Sequence, residues 1–158
     1  MKISYSGTPS GQKPYSPTLF LQAHQAYTQG QFARAAQELL PTIGHLQTPF
    51  EAENLCAVAL VHAGQAAQAE AIFAKWLHRR PDDMGLALNL GWSQLQIPKY
   101  DAALVTYQWV LRREPLHPVA LEWAGLSASR LGFPEEAAQH WQKLLALRPQ
   151  DAQLCYNL

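Results

Sequence analysis

Apolar residues along this chain recur at helical spacing rather than in strand-like alternation, and they fall into paired short stretches. The clearest pair runs from Leu86 to Pro115, LALNLGWSQLQIPKYDAALVTYQWVLRREP. Leu90, Gly91, Tyr100, Ala103, Tyr107 and Leu111 are its fixed points, and they predict two amphipathic helices around a tight turn at Pro98. Stepping 34 residues either way returns much of the pattern. Pro81, Pro115 and Pro149 are one such series; Ala35, Ala69, Ala103 and Ala137 are another. The place of Tyr107 is taken by Leu39, Phe73 and Trp141, and that of Gly91 by Ala23, Ala57 and Gly125. Four helical hairpins are therefore predicted, over about 16–49, 50–83, 84–117 and 118–151.

Local signals mark the helix ends. Ser16 followed by Pro17 reads as an N-cap with proline at the first helical position. Thr48-Pro49-Phe50-Glu51 reads as a capping box that opens the second hairpin. Gly30, Gly64 and Gly132 serve as turns, and Pro98 stands where the third hairpin would carry the same glycine. Pro41 intrudes on the second helix of the first hairpin. It removes a backbone donor and crowds the preceding turn, so that helix is predicted to kink or end early.

A helix–turn–helix period of 34 residues closed by proline resembles the tetratricopeptide repeat (TPR) family. The resemblance covers about 16–151 and rests on four copies in phase. It implies an all-α fold, a TPR-type α-solenoid in which each hairpin buries its apolar face on its neighbours. Small residues such as Gly91 and Ala103 would allow close helix approach, and Leu39, Phe73, Tyr107 and Trp141 would fill the space between repeats. Residues 1–15 read as a flexible arm rich in Ser, Gly, Pro, Thr and Lys, with Tyr5 and Tyr15 its only aromatics. Residues 152–158 read as the start of a fifth first helix, a capping helix or a frayed tail.

In this family the first helices line a concave surface that holds extended or helical peptide segments. The resemblance thus implies a groove lined by Phe20, His24 and Tyr27 from the first repeat. Asn54, Val58, Val61 and His62 would follow from the second, then Leu88, Asn89, Trp92, Leu95 and Gln96 from the third. Trp123, Leu126 and Arg130 would complete it from the fourth. Such a lining is mostly apolar and aromatic, with Trp92 the foremost anchor. The basic positions with which chaperone-binding TPR proteins hold a C-terminal carboxylate are absent; only Asn89 matches that set.

Composition narrows the function. With 12 basic and 12 acidic residues the formal charge is zero, which argues against a phosphate-binding face for nucleic acid. No apolar run is long enough to span a bilayer, and MKISYSGTPSGQ lacks the apolar centre of a secretory signal, so a cytoplasmic protein without membrane insertion is expected. Cys56 and Cys155 have neither CxxC nor metal-ligand spacing and read as packed thiols. The six histidines are scattered without an HExxH arrangement; by register His24 and His62 both face the groove on adjacent repeats, too few for a metal site. Lys75, His78, Arg79, Arg80, Arg112 and Arg113 end second helices, where cations offset the helix dipole. GLSASRLG lacks the GxSxG spacing of a nucleophile elbow, and no phosphate loop is present. No enzyme, no cofactor and no metal are expected.

The leading functional expectation is a protein–protein interaction module that binds an apolar or amphipathic peptide segment in the concave groove. In size and architecture the chain is similar to the small TPR chaperones of type III secretion. The alternative is a scaffold subunit of a bacterial secretion, pilus or cell-envelope assembly, working through its convex face or by self-association at the C-terminal end.

Overall fold

A computed structural model describes residues 14–150. Residues 1–13 of the arm expected over 1–15, and the stretch 152–158 expected to start a capping helix or frayed tail, with Cys155, lie outside the described residues. Within them the chain forms eight α-helices and no strand. These are α1 (Pro17–Thr28), α2 (Phe32–Leu39), α3 (Phe50–His62), α4 (Ala66–Arg79), α5 (Met84–Gln96), α6 (Tyr100–Arg113), α7 (Pro118–Arg130) and α8 (Pro134–Leu147). The chain divides into two compact units, 1–65 and 66–158, so that α3 closes one and α4 opens the other.

In the first unit α1 packs on α2, and α2 on α3. Ser16 caps α1 as expected, its Oγ accepting from the Leu19 amide at 3.2 Å, with Pro17 next in the chain. Pro41 acts as its chemistry requires. Helix α2 stops at Leu39 and passes into a single 3-10 turn over Leu40–Thr42. The chain then needs other partners for its backbone. The Gly44 amide donates to Oε1 of Glu53, a residue only 2% exposed, and the Thr42 hydroxyl donates to the Leu39 carbonyl.

The capping box expected at Thr48 does not form. The Thr48 hydroxyl instead donates to the Thr42 carbonyl at 2.6 Å, and Pro49 occupies the N-cap of α3 without a side-chain bond. The 3-10 turn leaves that carbonyl facing the loop, and a buried acceptor takes the hydroxyl in preference to an exposed helix end.

In the second unit each helix packs on the next from α4 through α8. Its core gathers Ala87, Leu95, Ala103, Leu104, Tyr107, Val110, Leu121, Ala124, Ala128, Ala137, Trp141 and Leu144. The small-and-large complementarity read from the sequence is present twice. Gly91 lies against the ring of Tyr107, and Gly125 against the indole of Trp141. The turn positions also repeat. Gly30, Gly64 and Gly132 have φ of 75°, 77° and 80°, the left-handed region where glycine is free of strain. Pro98 stands at the equivalent place with φ of 23°, far from the value its ring prefers.

Candidate functional site

Residues expected to form a lining sit on the first helix of each hairpin, α1 and α3 in one unit, α5 and α7 in the other. In the first unit α1 touches α3. Phe20, Tyr27, Asn54 and Val58 are half-buried there, while His24 and His62 are exposed. His62 does not pair with His24. It stacks on Phe32 at 4.4 Å between centroids and meets the edge of Tyr27 at 5.9 Å, whereas His24 faces Phe20 at 6.1 Å. The result is an aromatic cluster of Tyr27, Phe32 and His62 at the turn end of the first hairpin. Val61 is only 5% exposed. It serves packing and offers no lining surface, a correction to its expected place.

In the second unit α5 touches α7. Leu88 and Asn89 on α5, and Trp123 and Leu126 on α7, are half-buried, as is Trp92. Leu88 and Trp123 rest part of their surface on the core beneath. Gln96 and Arg130 are exposed at the helix ends. Leu95 is the second correction. At 8% exposed it belongs to the core with Ala103 and Tyr107 rather than to a lining. Helical periodicity gives a direction for each side chain but not the width of the arc that neighbouring helices cover.

Two polar features of these helices escaped the sequence. The Asn54 Oδ1 is buried without a hydrogen-bond partner among the described residues. Gln94, 7% exposed, accepts a hydrogen bond from the Thr106 hydroxyl at 2.9 Å and so ties α5 to α6. Among the described residues no group of three or more His, Cys, Asp or Glu side chains could hold a metal ion. The Cys56 thiol is buried, donates to the Ala36 carbonyl at 3.7 Å, and is pushed up to about 12, first by burial and then by the nearby Glu53 charge. A thiol so held is packing, not a nucleophile.

The second helices carry a feature that periodicity did not announce. Helices α4 and α6 both pack on α5, and between them lies a cleft of about 420 Å³. Ala74, Leu77, His78 and Pro81 line one wall, Val105, Thr106, Trp109 and Arg112 the other, with Ala87 and Leu90 behind. Val105 is 62% exposed beside it.

A model of the tetratricopeptide repeat family matches residues 20–84 and again 88–152. The two stretches are offset by 68 residues (88 − 20), twice the 34-residue period, so each match holds two hairpins in the same register. The chain belongs to the tetratricopeptide repeat family. Its eight described helices, each packed on the next within a unit, are those of a TPR-type α-solenoid. TPR folds serve protein–protein interaction. Solved structures with the same fold include the MamA fragment "41-end" from Desulfovibrio magneticus RS-1, at TM-score 0.77 and 22% identity over 87% of this chain and 77% of that one. Another is YrrB, described as a TPR protein with an unusual peptide-binding site, at TM-score 0.78 and 14% identity over 87% of this chain and 71% of that one. At such identities the likeness is one of fold. No curated protein sequence matches the chain. Among the described residues no helix is long and apolar enough to cross a membrane.

Proposed function

We propose that this chain is a non-catalytic adaptor or chaperone that holds an apolar or amphipathic peptide segment on its first helices. One observation carries the reading: Leu88, Trp92, Trp123 and Leu126 lie half-buried on α5 and α7, two helices in contact. A half-exposed tryptophan combines large contact area with a polar handle, the combination found at binding hot spots. Asn89, Gln96 and Arg130 stand on the same helices and supply donors for a peptide backbone. In the other unit Phe20, Tyr27 and Val58 offer similar half-buried apolar surface. The lining is short of charge, which fits an apolar ligand better than an acidic tail.

A photo-crosslinking amino acid placed at Gln96, exposed at the end of α5, tests this in lysate of the source cells. The reading expects an adduct whose mapped peptide is apolar or amphipathic. The Trp92→Ala background should cut its yield at least fivefold while helicity stays unchanged. An adduct of equal yield in both backgrounds removes the lining from the interaction. Collapse of helicity in Trp92→Ala makes Trp92 a core residue and removes the proposed anchor.

A further inference from the structure

We infer that the cleft between α4 and α6 is a second docking site, which takes a partner segment presenting one bulky apolar side chain flanked by carboxylates. It lies wholly on residues outside the α5 and α7 lining discussed above. Three observations converge on it. The first is size and chemistry: about 420 Å³ of space walled by Leu77, Pro81, Leu90 and Trp109. That volume falls within the range of about 300–1,000 Å³ typical of ligand pockets. The second is the exposed Val105 on its border, a β-branched apolar side chain on a helix face otherwise turned to water.

The third is charge. The whole chain is neutral, yet His78 in the last turn of α4 and Arg112 in the last turn of α6 both line this cleft. The two carboxylates that follow α4 are already engaged. Asp82 pairs with Arg113 at 3.2 Å, and Asp83 caps α5 by accepting from the Leu86 amide. Arg113 also lies 3.7 Å above the Trp109 ring, which holds that indole against the wall of the cleft. Arg112 and His78 line the cleft itself and have no ion-pair partner among the described residues. An apolar slot with an unpaired guanidinium at its mouth is complementary to an acidic amphipathic segment. Arginine suits that role because its fork matches a carboxylate.

The test uses the full chain, isotope-labelled for amide chemical shifts, and two synthetic probe peptides of equal length. One carries a central phenylalanine and leucine flanked by glutamates; the other has lysines in place of the glutamates. The glutamate peptide should shift the amides of Val105, Thr106, Trp109 and Arg112, and the lysine peptide should bind at least tenfold more weakly. Arg112→Glu should abolish the shifts. Ala74→Trp, which fills an exposed wall position without altering charge, should abolish them too and carries the test if Arg112→Glu disturbs the fold. Equal response to both peptides, no response to either, or shifts confined to Leu88, Trp92 and Leu126 would overturn the inference. So would shifts of the same cleft amides on raising the concentration of the protein alone, which would make a second copy the occupant. Trp92→Ala should leave the glutamate peptide bound, which separates this site from the first-helix lining.

Discussion

A Cβ added to Gly91 would lie 2.7 Å from Cζ of Tyr107, closer than carbon atoms pack in proteins. The aromatic ring is fully buried, so it has nowhere to move. Gly91→Ala would ordinarily stabilise a helix interior by up to about 1 kcal/mol. Overpacking a filled core costs about 1–3 kcal/mol, and here that cost should prevail. The expected outcome is a net loss of about 1 kcal/mol and a fall in Tm of about 2–4 °C.

A second variant isolates the cause. Sixty-eight residues earlier the same two places hold Ala23 and Leu39, both fully buried. Gly91→Ala combined with Tyr107→Leu rebuilds that pair in the third repeat. In the Tyr107→Leu background the added methyl should be neutral or stabilising, a coupling that a double-mutant cycle measures. If Gly91→Ala costs the same in both backgrounds, the ring contact is not the source of the loss.

Much of this was legible because it is periodic. The paired small and large positions, the turn glycines and the helix-ending Pro41 each follow from one residue type at one place in a 34-residue repeat. The misreadings have tertiary causes. Thr48 matched a capping pattern, but the loop created by Pro41 offered it the Thr42 carbonyl instead. Val61 and Leu95 fall at the helical spacing expected of a lining yet are buried by their neighbours. His117 caps α7, its Nδ1 accepting from the Ala120 amide at 3.3 Å, a role that the usual cap residues do not suggest. The cleft between α4 and α6 depends on the separation of two helices, which no one-dimensional pattern encodes.

Pro98 supplies a stabilising change. Its φ of 23° lies where Gly30, Gly64 and Gly132 sit at 75° to 80°. Each glycine also donates its amide to a carbonyl of the preceding helix: Gly30 to Tyr27, Gly64 to Val61 and Gly132 to Ser129, at 2.9–3.1 Å. Proline has no such donor and its ring opposes positive φ. Strained backbone of this kind costs about 1–3 kcal/mol, while glycine's freedom in the unfolded chain returns about 0.4–1 kcal/mol of that. Pro98→Gly should therefore raise stability by about 1 kcal/mol, read as a higher urea midpoint with unchanged slope. A lower midpoint would show that the turn is not strained by proline.

Glu53 should hold the 43–48 loop in place. It is nearly inaccessible, and its Oε1 accepts the Gly44 amide at 3.1 Å. Truncation removes the acceptor of a part-buried hydrogen bond to a carboxylate, at a cost of about 1.5 kcal/mol. Glu53→Ala should speed hydrogen exchange at Gly44 at least tenfold, whereas Glu53→Gln keeps an acceptor and should lose less. Identical exchange in the two variants would place the loop's anchor elsewhere.

Stability should decline on both sides of neutral pH, for reasons assignable to three side chains. Burial lowers the His140 imidazole from its ordinary 6.5, and the Glu136 carboxylate 3.6 Å away only partly opposes this. The unfolded chain then binds that proton more readily than the folded one, so this contribution is present above pH 6.5 and is lost as pH falls. The alkaline side has the opposite sign. Burial, with the Glu53 charge, raises Cys56 from 9.0 to about 12, and burial alone raises Tyr107 above its ordinary 10.0. Unfolding releases these protons once pH passes 9, so stability is complete below that value and falls as pH rises toward 12. Urea midpoints measured across pH should trace this dome. Cys56→Ala with Tyr107→Phe should flatten its alkaline limb and leave the acid limb in place. His140→Gln should flatten the acid limb alone, and an acid limb unchanged in that variant would assign the loss to other groups.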